Sequence, residues 1–215
     1  MQLEQNETFE IKGPQLEVFG KAESRLPAPA RRRPTALAVL ALAVVLSVFG
    51  ISGARLRAAR SRVTAVYSAS VNEHGHGIQD DLNTQIDNAA NLLRQCQSVL
   101  GEEDPRCTQT AALIDQWQTT PATPSAQYAL ITSLDSAVDD LYNTARAQAS
   151  GSALDRIEGL SADYASTQAI LEREIAQDYT PAAREFNETL GAFPANLLAP
   201  LWGVDEAEAY GPASS

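Results

Sequence analysis

The stretch LDRIEGLSADYASTQAILEREIAQDYTPAAREFNETL, residues 154–190, decides the fold. Leu154, Ile157, Leu160, Tyr164, Leu171, Ile175, Tyr179, Phe186 and Leu190 recur every three or four residues, doubled where a weak position intervenes. That is the period of one helix face, held far too long for a strand. Pro181 interrupts the run. A proline inside a helix costs about 3 kcal/mol and kinks it, so a bend is expected over residues 179–182. Phe193-Pro194 ends the helix, because proline disfavours helical geometry in the residue before it. Residues 195–201 then read as a short apolar coil-back, closed by Trp202 and Gly203.

Working outward, Ile78, Leu82, Ile86, Ala89, Ala90 and Leu93 give another helical stripe. Gly101 and Pro105 bracket an acidic turn, so one helix ends near Leu100 and the next begins near Cys107. That short helix stops at the TTPATP segment, residues 119–124, after which Ser125 is placed to cap a further helix. Tyr128, Ile131, Leu134, Val138, Leu141 and Tyr142 form its stripe, and Gly151 breaks it. No alternating Val, Ile and Thr run and no Asn-Gly hairpin signal occurs. The expected fold is all-α: an N-terminal transmembrane helix followed by an antiparallel, roughly four-helix bundle over residues 78–204. Residues 205–215 read as a flexible tail. The aromatic stripe of Tyr164, Tyr179, Phe186 and Phe193 is expected to pack in the core.

The membrane helix is TALAVLALAVVLSVFGISGA, residues 35–54, without a charged residue. At about 1.5 Å per residue it spans roughly 30 Å, the hydrocarbon thickness of a bilayer. Residues 1–34, with four prolines and no apolar period, read as a disordered polar and basic arm. Residues 55–77 read as a membrane-proximal stalk. A retained anchor is expected, with a cleaved leader ending at Ser52-Gly53-Ala54 as the alternative. Arg31, Arg32 and Arg33 directly precede the apolar run, while Arg55, Arg57, Arg60 and Arg62 follow it. The triplet's closeness favours a cytoplasmic N-terminus, leaving the bundle extracytoplasmic.

From Val63 onward the chain carries 6 basic and 22 acidic residues, a formal charge of 6 − 22 = −16. Such a domain repels a phosphate backbone, which excludes nucleic acid as a partner. The two cysteines, Cys96 and Cys107, flank the acidic turn at facing ends of a helical hairpin. A disulfide is expected between them, contributing about 2–3 kcal/mol and placing the domain in an oxidising compartment. The alternative is a pair of buried free thiols.

The C-terminal sequence FNETLGAFPANLLAPLWGV, residues 186–204, resembles the signature of the LemA family. That signature runs Tyr-Asn, a hydrophobic residue, Phe-Pro, Asn, Ala and then Gly-Phe. Phe186-Asn187, Phe193-Pro194, Asn196, Ala199 and Gly203 fall at its positions, and Tyr179 matches its upstream tyrosine. A second segment is similar around Asp87 and Asn91, but Thr84-Gln85 stands for the family's arginine pair and Ala90 for its proline. The resemblance implies a membrane-anchored helical bundle at the bacterial cell envelope, without an established molecular activity. Its family-signature positions here are Asp87, Asn91, Tyr179, Phe186, Asn187, Phe193, Pro194, Asn196 and Gly203.

Little in the chain points to chemistry. His74-Gly75-His76 is the one histidine feature; without a third ligand at a recognisable spacing it reads as a solvated hinge rather than a metal site. The acidic pairs Asp80-Asp81 and Asp139-Asp140 and the Glu102-Glu103-Asp104 run read as solvated faces. Asn91 and Asn187 lie beside apolar stripes, where an amide must find partners across helices or cost stability. No phosphate loop, nucleophilic triad or redox CxxC occurs. The expectation is a non-enzymatic interaction or scaffold module with no cofactor or metal. Its partners would be the bilayer, through residues 35–54, and an unidentified envelope protein. An extracellular ligand-sensing bundle is the alternative, and a hydrolytic enzyme the weaker third reading.

Overall fold

The computed structural model describes residues 33–68 and 77–212. The arm up to residue 32, the His74-Gly75-His76 hinge and the last three residues lie outside these. Among the described residues all regular structure is helical. The elements are α1 (Arg33–Ser68), α2 (Ile78–Leu100), α3 (Pro105–Trp117), α4 (Pro124–Gln148), α5 (Ser152–Glu174), a π-helical turn (Ile175–Tyr179), α6 (Thr180–Gly191) and α7 (Ala195–Trp202). The chain divides into two compact units, Met1–Ser52 and Gly53–Ser215.

In the first unit, the described part of α1 shows apolar side chains on every side. Leu37, Leu40 and Leu46 are 66%, 61% and 62% exposed. The stretch Leu37–Ser68 contains an 18-residue window of mean hydropathy 2.5 and is long and apolar enough to cross a membrane.

In the second unit, α2 packs against α3, α4 and α5, and α4 contacts both α3 and α5. The stripes read from the sequence supply the core: Leu82, Leu92, Leu134, Leu141 and Ile157 are fully buried. Each such side chain contributes about 1.5–3 kcal/mol on leaving water. The C-terminal part of α1 joins the same core through Leu56, Val63 and Tyr67. Residues 55–68 of the segment expected as a stalk are therefore part of a helix packed into the unit.

The connectors follow local chemistry. Gly101, at φ 93°, lets the chain leave α2. The Asp104 carboxylate accepts from the Arg106 backbone N–H at 2.9 Å, capping α3, and Pro105 opens the first turn, where a missing N–H costs nothing. The expected disulfide is absent: Cys96 and Cys107 are free, fully buried thiols that belong to the apolar core. Cys107 lies in the first turn of α3, which begins at Pro105, and its side chain fills the core as a small apolar group. Ser125 does not cap α4. Its hydroxyl donates instead to Glu208 at 3.0 Å, and Thr123 holds the N-cap position.

Pro181 is accommodated by the π-helical turn directly before it. Proline lacks an N–H and crowds the carbonyl four residues back; one wider turn relieves both and lets α6 continue. The coil expected over residues 195–201 is instead a helix, α7, whose C-cap Gly203 takes the left-handed conformation at φ 59°. The Val204 N–H closes that end on the Ala199 carbonyl at 3.1 Å.

Candidate functional site

Two polar clusters lie inside the apolar packing of the Gly53–Ser215 unit. The first joins α2, α4 and α5. Gln85, fully buried on α2, donates from Nε2 to Asp135 Oδ1 at 2.9 Å and to the Tyr164 hydroxyl at 3.1 Å. Tyr164 donates to the same Asp135 oxygen at 2.6 Å, and Gln168 donates to Asp135 Oδ2 at 3.3 Å. Burial pushes the Asp135 carboxyl above the usual carboxylate range; the hydrogen bonds from Tyr164 and Gln85 oppose that rise, and Asp139 and Glu172 add to it. Burial, followed by the neighbouring Asp135 charge, likewise raises Tyr164, which stays a protonated donor. The Gln85 Oε1 atom is buried without a partner among the described residues.

The second cluster ties the C-terminal segment to the helices. Tyr67 on α1 donates to Gln127 Oε1, and Gln127 donates to Gln79 at 3.0 Å. The Tyr67 ring lies 5.1 Å from that of Tyr179 and 6.4 Å from that of Tyr210; Tyr128 meets Tyr210 edge-on at 5.4 Å. Tyr179 donates to the Glu208 carbonyl. Asn187 makes a paired contact with the backbone of Ala207, donating to its carbonyl at 2.9 Å and accepting from its N–H at 2.7 Å. Residues 205–210, read from the sequence as part of a flexible tail, thus run along α6 with Ala207 buried.

The family-signature positions divide between these clusters and the surface. Tyr179 and Phe186 are buried, and the Arg60 guanidinium sits 5.9 Å from the Phe186 ring centre. Asn187 is half-buried and holds the C-terminal segment. Phe193, expected in the core, is 79% exposed. The helical stripe ends at Gly191, and the extended Ala192 turns Phe193 away from it. Pro194, Asn196 and Gly203 are also exposed and shape the α6–α7 corner and the end of α7. Asp87 is exposed on α2. Asn91, expected to bond across helices, is exposed and accepts from Arg94 within its own helix.

Gln85 and Asp135 were missed in the sequence although both occupy stripe positions. Gln85 lies three residues after Leu82 and four before Ala89; Asp135 lies four after Ile131 and three before Val138. A polar residue in phase with the apolar face is the signal that finds them.

A cavity of about 440 Å³ opens beside Thr180, Asn187, Ala207 and Tyr210. Both polar ends of the Asn187 amide are already committed to Ala207, whereas Arg184 and Glu188 also line this cavity and the Tyr210 hydroxyl is buried without a hydrogen-bond partner among the described residues. Among the described residues no group of three or more His, Cys, Asp or Glu is arranged to hold a metal ion. Comparison of the chain with protein-family models, with curated proteins and with solved structures returns no match.

Proposed function

We propose that the protein is a single-pass, membrane-anchored interaction or scaffold module of LemA-like kind at the bacterial cell envelope, and not an enzyme. The observation that carries the reading is the exposure of the large apolar side chains from Leu37 to Ile51 on α1. An apolar stripe of this length is untenable in water and suits a bilayer. The helices of residues 78–204 are read as a roughly four-helix antiparallel bundle, supported by the packing of α2, α4 and α5 around one apolar core. The resemblance to LemA rests on the signature residues quoted above.

In this reading residues 35–54 cross the membrane, the N-terminus is cytoplasmic and the bundle extracytoplasmic, as the arginine triplet before the span favours. The interior speaks for a static role: Asp135 is saturated by Tyr164, Gln85 and Gln168, and the Asn187 amide by Ala207. Such networks fix the register of helices against one another. A partner protein of the envelope would be met on the acidic outer surface.

The test is fractionation of cells expressing the full chain, with an added surface thiol from Ser98→Cys. The protein should stay with membranes through alkaline carbonate, and the thiol introduced at position 98 should react with a membrane-impermeant maleimide in intact cells. Release by carbonate would overturn the anchor; labelling only after permeabilisation would reverse the orientation.

A further inference from the structure

α7 carries two opposed faces. Leu198 and Ala199 are buried, whereas Phe193, Leu197 and Leu201 are 79%, 64% and 72% exposed. Leu197 and Leu201 are spaced by four on one helix side, and Phe193 lies in the turn that precedes the helix. No charged residue occurs anywhere over residues 190–204. Outside α1, Ile170 is the one other exposed large apolar side chain among the described residues. The large exposed apolar side chains of the Gly53–Ser215 unit are thus gathered almost wholly on α7 and the turn that leads into it.

The position of α7 along α1 is fixed by a series of contacts. Tyr67 meets Tyr179 ring to ring, Arg60 lies over Phe186, and the Arg57 guanidinium donates to the Trp202 carbonyl at 3.1 Å. Residue numbers fall along α1 as they rise from α6 to α7, so the two run antiparallel and α7 is carried to the Gly53 end. There the Trp202 ring lies against Gly53, where a β-carbon would overlap it. Gly53 is also where the uncharged run gives way to Arg55 and Arg57. A helix bearing two bare apolar side chains, with Phe193 bare in the turn before it, is therefore pinned at the residue level where a spanning α1 leaves the hydrocarbon.

We propose that α7 is an interfacial helix, with Phe193, Leu197 and Leu201 inserted into the headgroup–acyl boundary of the bilayer that α1 crosses. The proposal rests on the membrane reading above. Shallow insertion needs only a short apolar face flanked by cations that suit lipid phosphates, here Arg55 and Arg57. A stable protein interface buries on the order of 1,200 Å² or more, which Leu197 and Leu201 on an eight-residue helix and Phe193 before it do not provide. The Gly53–Ser215 unit would then meet the bilayer through a helix of its own, in addition to the span that precedes it.

The experiment uses the full chain reconstituted in vesicles of phosphatidylcholine and phosphatidylglycerol. Leu197→Cys, Leu201→Cys, Val44→Cys and Ser98→Cys variants are each labelled with an environment-sensitive maleimide fluorophore, the unsubstituted chain giving the background from the buried native thiols. Quenching is read with nitroxide-bearing lipids and with aqueous iodide. Labels at 197 and 201 should be quenched by lipid nitroxide and lose quenching by iodide, like the label at 44 and unlike that at 98. A label at 44 quenched by lipid with those at 197 and 201 open to iodide would overturn the interfacial helix and leave the anchor standing. Protection of 197 and 201 from both quenchers would mean a second copy or another protein covers α7, and would also overturn it. Failure of lipid to quench the label at 44 would overturn the anchor and the proposal together.

Discussion

The indole ring of Trp202 fills the space into which any side chain at Gly53 would project. Two effects compete on substitution. Alanine in a helix is favoured over glycine by about 1 kcal/mol, while forcing extra atoms into a packed contact costs about 1–3 kcal/mol. Gly53→Ala should therefore come out destabilising by up to about 2 kcal/mol, because a β-carbon would overlap the ring. Gly53→Leu should expel the ring, break the Arg57 bond to the Trp202 carbonyl and uncap the end of α7. In a Trp117→Phe background, which leaves Trp202 as the one tryptophan, Gly53→Leu should red-shift the emission. Unchanged emission would show that the ring does not rest on Gly53.

Asp135 gives the fold a pH dependence of defined sign. Its folded-state pKa lies above the ordinary carboxylate value, first because of burial. Over the interval between the unfolded and folded values the native protein binds more protons than the unfolded chain. That contribution to stability is therefore present on the acid side and is lost as pH rises through the folded value. Asp135→Asn keeps an acceptor for Tyr164 and carries no charge. The difference in urea midpoint between variant and parent should move in the variant's favour between about pH 4 and pH 7. A constant difference over that range would show that the carboxylate titrates normally.

Much of this architecture is legible in the sequence because it depends on period alone. The stripes through Leu82, Leu134 and Ile157 and the breaks at Gly101 and Gly151 need only helical spacing and turn chemistry to be found. What escapes depends on contacts distant in sequence. Asn187 reads as a partner for another helix, yet its amide meets the backbone of Ala207, in a segment with no apolar period of its own. Phe193 keeps the spacing of the aromatic stripe, but the helix has already ended at Gly191, and the side chain turns out. The helical nature of α7 is hidden by Pro194 and Pro200, which argue locally for a coil until Gly203 is seen to close a helix end.

The cysteines should behave as core residues. Burial, with the neighbouring Cys107 adding, pushes the Cys96 thiol up to about 12, and burial likewise raises Cys107. The thiolate is the reactive form, so both should resist alkylation at neutral pH in the folded protein. They should react together only on denaturation, and migration on gels should be the same with and without reductant. Cys96→Ser would place a hydroxyl in the apolar core at a cost of about 1–3 kcal/mol, whereas Cys96→Ala should be milder. Two thiols that fail to appear after denaturation without reductant would mean that a bridge does form.

Asn187 is the residue on which the C-terminal segment depends most directly. Its side chain meets both polar groups of Ala207, a pairing that water replaces poorly where Ala207 is buried. Asn187→Ala leaves both backbone groups unpaired and should cost about 1–3 kcal/mol. Asn187→Asp keeps the acceptor for the Ala207 N–H but sets a carboxylate oxygen against the Ala207 carbonyl, so it should be no better tolerated. Loss of the clamp should loosen the segment before the helices, because Tyr179 and Ser125 hold it only through Glu208. Limited proteolysis should then cut within residues 204–210 in both variants while the parent resists. Equal resistance in all three would show that Glu208 and the ring contacts of Tyr210 with Tyr67 and Tyr128 suffice to hold the segment without the amide.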